Sequence, residues 1–182
     1  MRKTLIILFS VLLLGLLGFL TWHTYRTNIA TPSQEIEDDN SDVYAEEDAS
    51  PLYRDPEGRF SFTKPPGYMV RLIDEGDGET LLVQKVENAS LSFQIFISSF
   101  DESGPITPER IQKDIPDMII NDPQQAVVGK RKLTVLIFKS TDPSIGETRE
   151  LWLAHAGYLY QITAPIKLDA EVAEMMKTWE SK

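Results

Sequence analysis

Two histidines, His23 and His155, and the absence of cysteine bound what this 182-residue chain could ligate or catalyse. A structural or catalytic zinc takes three or four ligands, chiefly His and Cys, and His155 is the one histidine away from the N-terminal apolar run. Nucleophilic catalysis needs a base beside its nucleophile and a third group to orient that base. His155 could serve only in a Ser-His-Asp arrangement for which no flanking motif exists, and a turn histidine is the ordinary alternative. The densest acids are Asp74, Glu75, Asp77 and Glu79. Oxygen ligands this close could hold a hard cation such as calcium, or they are a solvated turn around Gly76 and Gly78. Lys130-Arg131-Lys132 could meet an anionic partner or form a soluble hairpin tip. Asn88-Ala89-Ser90 is a glycosylation sequon, relevant only in a eukaryotic secretory pathway, or a plain turn. There is no glycine-rich phosphate loop and no dinucleotide fingerprint. No residue is therefore assigned as catalytic, cofactor-binding or metal-ligating. No cofactor is expected, and the chain reads as a non-enzyme.

The elements that carry these residues follow from turn chemistry and periodicity. Asp55-Pro56-Glu57-Gly58 is a turn, and Phe60 and Phe62 then alternate with Ser61 and Thr63 as a short strand. After Pro65-Pro66-Gly67, strands are expected over 68–73 and 80–86, joined by the acidic hairpin, with a turn at Asn88-Ala89. Leu91, Phe93, Ile95 and Ile97 give the clearest period-two strand. Thr107-Pro108-Glu109 opens a helix with Ile111 and Ile115 on one face, and Pro116 ends it. Strands resume over 125–128, 133–139, 147–154 and 158–163. A last helix starts at Asp169 as N-cap and aligns Val172, Met175, Met176 and Trp179 in one stripe. Phe96 and Trp152 fall on the polar faces of their strands, where a covering helix or a partner must meet them. Strands, helix, strands, helix make an α+β domain around a mostly antiparallel sheet.

Ahead of this domain, Thr4 to Trp22 carries no charge, and nineteen residues at 1.5 Å each span about 28 Å, the thickness of a hydrocarbon core. Residues 4–22 are read as an uncleaved transmembrane signal-anchor. A cleaved signal ending near Ala30 is the alternative, disfavoured by the bulky residues Phe19 to Tyr25. Arg2 and Lys3 hold residues 1–3 in the cytoplasm and place the C-terminal domain outside, in a periplasm or at a cell surface. Residues 23–52 read as an acidic, disordered tether, with eight acids and no Lys or Arg between Asn28 and Leu52. Residues 53–182 form the domain, with 15 basic and 20 acidic side chains. With a net charge of −10 over the whole chain, nucleic acid is excluded as a partner. Export without disulfides favours a bacterial source.

Tyr53-Arg54-Asp55-Pro56 through Phe60-Ser61-Phe62, then Pro65-Pro66-Gly67-Tyr68, resembles the start of domains of the PsbP/Mog1-like superfamily. Gly157-Tyr158-Leu159-Tyr160-Gln161-Ile162, followed by an amphipathic helix ending at Trp179, resembles their end. The resemblance implies an antiparallel sheet sandwiched between helices. It also implies a role like those of the superfamily: extrinsic subunits of photosynthetic complexes, partners of a nuclear-transport GTPase, or exported bacterial lipoproteins. None of these roles is catalytic, and no site residue carries over. The lipid-attachment cysteine of the bacterial members is missing, and the apolar run would replace it. The resulting expectation is a membrane-anchored, extracytoplasmic, non-enzymatic module that binds a protein partner or supports an envelope complex. The alternative is a small-ligand or metal-binding sensor using a cleft at the sheet edge and the 74–79 acids.

Overall fold

In β5 (Asn88–Ser99), Phe93, Ile95 and Ile97 are buried while Gln94, Phe96 and Ser98 are half-buried, so the alternation in the sequence becomes two faces of one strand. The computed structural model describes residues 50–74, 78–102 and 104–182, without the side chain of Asp74. Around β5 lie β1 (Leu52–Arg54), β2 (Phe60–Thr63), β3 (Tyr68–Asp74) and β4 (Glu79–Lys85) before it in the chain. After it come α1 (Pro108–Asp114), β6 (Asn121–Val128), β7 (Leu133–Asp142), β8 (Gly146–His155) and β9 (Tyr158–Pro165). A 3₁₀ turn (Ile166–Leu168), α2 (Asp169–Lys177) and β10 (Glu180–Ser181) close the chain. Seven strands form one antiparallel sheet in the order β3-β4-β5-β9-β8-β7-β6, and β1-β2-β10 form a second, three-stranded one.

On the face of the large sheet that meets α2, the row Ile137, Leu151, Ile162, Ile95, Leu81, Leu72 runs across six strands in register. Val172, Met175 and Met176 of α2 and Phe60 and Phe62 of β2 close this core, as the helical stripe and the strand alternation require. Trp179 is fully buried among them, stacked on Phe60 at 4.6 Å between ring centroids and edge-on to Tyr160 at 5.6 Å. The opposite face is covered in part by α1. Ile106 and Ile111 pack there on Leu136, Phe138, Trp152 and Leu159. Thr107 caps α1, its hydroxyl accepting the Arg110 N–H at 3.3 Å, as the sequence indicates.

Several expectations are corrected. Asn88-Ala89 begins β5, and the turn is Val86-Glu87, one step earlier, with a bulge at Gln84/Lys85 absorbing the shift. Asp169 is not an N-cap: α2 begins at it without a side-chain cap, because its carboxylate is held by Arg149 on β8 at 2.8 Å. Trp179 lies beyond the end of α2, so its burial comes from the chain entering β10 rather than from a helical stripe. The domain opens at β1, one residue inside the span assigned to the tether. No helix among the described residues is long and apolar enough to cross a membrane, and the run Thr4 to Trp22 lies outside them.

Candidate functional site

The residues singled out for chemistry are not brought together. His155 ends β8 partly exposed, its Nε2 3.1 Å from the Lys182 main-chain oxygen, with no Ser-Asp pair assembled on it. Glu79 lies on β4. It accepts from the Arg59 guanidinium at 2.5 and 3.2 Å. Glu75 and Asp77 lie outside the described residues, as does the side chain of Asp74. Among the described residues no three His, Cys, Asp or Glu gather as a metal site. Gly78 has a steric role, since a Cβ there would lie 2.7 Å from the Phe96 ring. Asn88 and Ser90 are exposed, and the Asn88 Oδ1 accepts from the Ser90 hydroxyl at 2.7 Å as a local turn bond. The Lys130–Lys132 turn is more than a soluble tip. Its Gly129 N–H donates to the Met176 carbonyl and its Lys130 N–H to that of Trp179. Gly129 has φ +67, and a Cβ there would come 2.2 Å from the Trp179 oxygen, so glycine is required where this turn clamps the C-terminus.

Two ionic sites escape sequence reading, because their members are far apart in the chain or ordinary in type. At the first, Arg59 binds the wholly buried carboxylate of Asp55 at 2.7 and 2.8 Å, binds Glu79, and lies 5.2 Å over the Tyr158 ring. Burial alone would raise the Asp55 carboxyl. The hydrogen bonds from Arg59 outweigh it and hold the group below the usual carboxylate range. This site fastens the β1–β2 turn to the ends of β4 and β9.

The second is Glu150, 4% exposed, on the face that α1 partly covers. Its carboxylate accepts from the hydroxyls of Thr148 and Thr163 at 2.8 and 2.7 Å and from the Trp152 indole N–H at 3.4 Å. All three donors are neutral. Burial therefore dominates, and despite those hydrogen bonds the carboxyl is pushed up to about 7.

Glu150 sits at a seam. In register across the sheet the row reads Phe138, Glu150, Thr163, Gln94, Leu82, Arg71. Phe138 is wholly buried, Thr163, Gln94 and Leu82 are half-buried, and Arg71 is exposed. A neighbouring row reads Leu136, Trp152, Gln161, Phe96, Thr80, Ile73. The expected covering helix thus meets Trp152, while Phe96 lies outside the cluster that α1 builds. What remains on β3, β4, β5 and β9 is a platform of Ile73, Leu82 and Phe96 interleaved with Gln94, Gln161 and Thr163. Apolar area and amide hydrogen-bonding groups alternate there at strand spacing. Such a surface offers contact area and hydrogen bonds.

The fold is PsbP-like, mostly antiparallel sheets with few helices. The solution structure of cyanobacterial PsbP (CyanoP) from Synechocystis matches with a TM-score of 0.53 over 72% of this chain and 91% of that one, at 10% identity. A crystal structure from Bacteroides thetaiotaomicron matches with a TM-score of 0.50 over 72% of this chain, at 16% identity, and this chain spans 48% of its length. No protein-family model and no curated protein matches the sequence.

Proposed function

We propose that this chain is a single-pass, membrane-anchored protein whose extracytoplasmic α/β/α domain is a non-enzymatic module that binds a protein partner or supports an envelope complex. The observation that carries the reading is the platform of Ile73, Leu82, Phe96, Gln94 and Gln161. It occupies a sheet face on which the α1 cluster takes in residues of β7, β8 and the start of β9. A half-covered face of mixed apolar and amide character is complementary to a protein surface, in which apolar contact and hydrogen bonds alternate on the same scale. The scattering of His155, Glu79 and the basic turn supports the non-enzymatic part. The sensor alternative is weakened by the engagement of Glu79 with Arg59. The anchor is supported by the uncharged run Thr4 to Trp22 behind Arg2 and Lys3.

The test is site-specific photocrosslinking in native membranes of the full chain. A crosslinker at Gln94 gives a discrete protein adduct, and one at the exposed Glu174 of α2 gives none. Equal labelling at both positions, or none at Gln94 in any growth condition, removes the platform as the binding site. Alkaline extraction and external protease on intact cells test the anchor separately. The chain stays with the membrane pellet and its C-terminal part is digested.

A further inference from the structure

The two edges of the seven-stranded sheet are built differently. An edge strand presents main-chain N–H and C=O groups that can template another strand, and proteins blunt such edges with proline, bulges and charge. The β6 edge is blunted. Pro123 lies within it and has no N–H, Asp122 has φ +51, and the register shifts between Asn121 and Gln124. The β3 edge is regular. Tyr68 to Asp74 pair with Lys85 to Glu79 without a bulge, and the strand contains neither proline nor glycine. The Val86 N–H donates to the Gly67 carbonyl at 2.9 Å, which makes these two residues a hydrogen-bonded pair. Bonded and non-bonded pairs alternate along the strand. Met69, Arg71 and Ile73 therefore direct their main-chain groups to β4, while the N–H and C=O of Val70 and Leu72 point away from it. No strand lies beyond β3 among the described residues. Leu72 is 48% exposed at the end of the aliphatic row. Arg71 is exposed on the other face, and among the described residues its guanidinium donates to the Met69 sulfur at 3.7 Å and to no carboxylate.

We infer that β3 accepts an extended segment of the protein partner as a further antiparallel strand, apolar where it faces Leu72 and acidic where it faces Arg71. The inference rests on the reading of the domain as a partner-binding module and deepens it. Ile73 of the platform lies on the same strand, so an added strand continues the platform's surface. Main-chain bonds to Val70 and Leu72 supply affinity, and alternate side chains supply choice. Arg71 decides the occupant. An antiparallel strand meets it at a non-hydrogen-bonded pair, where opposing side chains approach most closely. A second copy of this chain, paired over all seven residues of β3, sets Arg71 against Arg71, and like charges directly opposite are destabilising. An acid in that position neutralises the guanidinium, and an apolar residue opposite Leu72 extends the aliphatic row by one strand.

The test uses the full chain in native membranes with a photocrosslinker at Met69, on the face of β3 that carries Arg71. The expected adduct joins another protein, and mass spectrometry places the link in a segment that alternates apolar residues with an acid. Leu72→Pro deletes an N–H that β4 does not use, and the adduct falls at least ~tenfold. Leu72→Val keeps the N–H and retains the adduct. Arg71→Glu lowers it by about tenfold, and Arg71→Lys retains it. Urea midpoints of all four variants stay with the parent. Should Leu72→Pro unfold the domain, Arg71→Glu decides, since that side chain is exposed, and an unchanged adduct overturns the inference. Equal losses with Leu72→Pro and Leu72→Val overturn it, because the partner then reads a side chain and not a strand. A link to a segment without an acid overturns it, and an adduct of this chain with itself does so in favour of a second copy. An adduct at Gln94 without one at Met69 refutes the added strand and leaves the platform standing. An adduct at Met69 without one at Gln94 does the reverse, and none at either position refutes both.

Discussion

Alternate residues of the same strands build the two faces of the large sheet, and the faces differ in almost every physical respect. The row Ile137, Leu151, Ile162, Ile95, Leu81, Leu72 is wholly aliphatic, and its members belong to the core that α2 and the small sheet close, except Leu72 on the edge strand β3, which is exposed. One residue along each strand, the row Phe138, Glu150, Thr163, Gln94, Leu82, Arg71 passes from a sealed aromatic through a buried acid to half-buried residues and an exposed arginine. The first face stores the stability. The second face gives some up by burying a carboxyl group without a cation, and among the described residues α1 packs over only part of its width. A domain that needed only to be stable would have no use for that asymmetry, and a domain that must meet something on one side would.

The comparison breaks first at Trp179. Trp179→Ala removes a fully buried ring stacked on Phe60 and Phe62, and the expected loss is about 3–5 kcal/mol, a large share of a domain's total. Urea unfolding with an unchanged m-value would register it. A loss under about 1 kcal/mol would mean that the aliphatic face collapses around the hole and is not the rigid partner of the pair.

The aliphatic face was legible in the sequence because burial on a strand writes itself as period two. Phe93, Ile95 and Ile97, and Val172, Met175 and Met176 at helical spacing, announce their partners' faces without any knowledge of topology. The position of Trp179 was legible only as apolar. That it belongs to a turn into β10 depends on Gly129, fifty residues earlier, whose positive φ leaves room for the Trp179 carbonyl. The second face was poorly legible for the same reason that makes it interesting. Its buried tie, Thr163 to Glu150, joins two residues ordinary in type on neighbouring strands. Glu150 in particular reads as one more polar residue on the open side of a strand, and only the packing of α1 over Trp152 reveals that it is sealed. At the acidic hairpin, Glu79 pairs with Arg59 and Gly78 makes way for Phe96, and neither relation is written in the local sequence.

The second face is sharpened by pH. The carboxyl of Glu150 stands at about 7 in the fold against 4.5 when unfolded, so the folded state holds its proton more tightly. The stability it contributes is complete below about pH 4.5 and is lost as the pH rises from there through about 7, a change on the order of 3 kcal/mol. Asp55 has the opposite sign. Its pairing with Arg59 stabilises above the unfolded value of 3.8 and is lost only as the pH falls through its lower folded value, so the two windows do not overlap. Glu150→Gln should therefore resemble the parent at pH 5 and exceed its stability at pH 8, in thermal melts at matched ionic strength. Parallel pH profiles for the two proteins would place the titration elsewhere.

The smallest effect on folding should accompany the largest on binding. Leu82 is half-buried between Gln94 and Arg71 and belongs to neither hydrophobic cluster, so little packing depends on it. Leu82→Ser removes some apolar contact and leaves no buried polar atom, and the expected stability loss is within about 1 kcal/mol. At an interface the same side chain would be an anchor. Truncating such a residue at the centre of a contact typically costs about 2 kcal/mol or more of binding, while rim positions cost little. Photocrosslinking from Gln94 should therefore fall roughly tenfold or more in the Leu82→Ser chain while its urea midpoint hardly moves. A matched substitution at Ile145, exposed at the β7–β8 turn, should change neither quantity. If Leu82→Ser instead unfolded the domain and spared the adduct, Leu82 would belong with the aliphatic face in energy though not in position. The two faces would then be one core with a ragged edge.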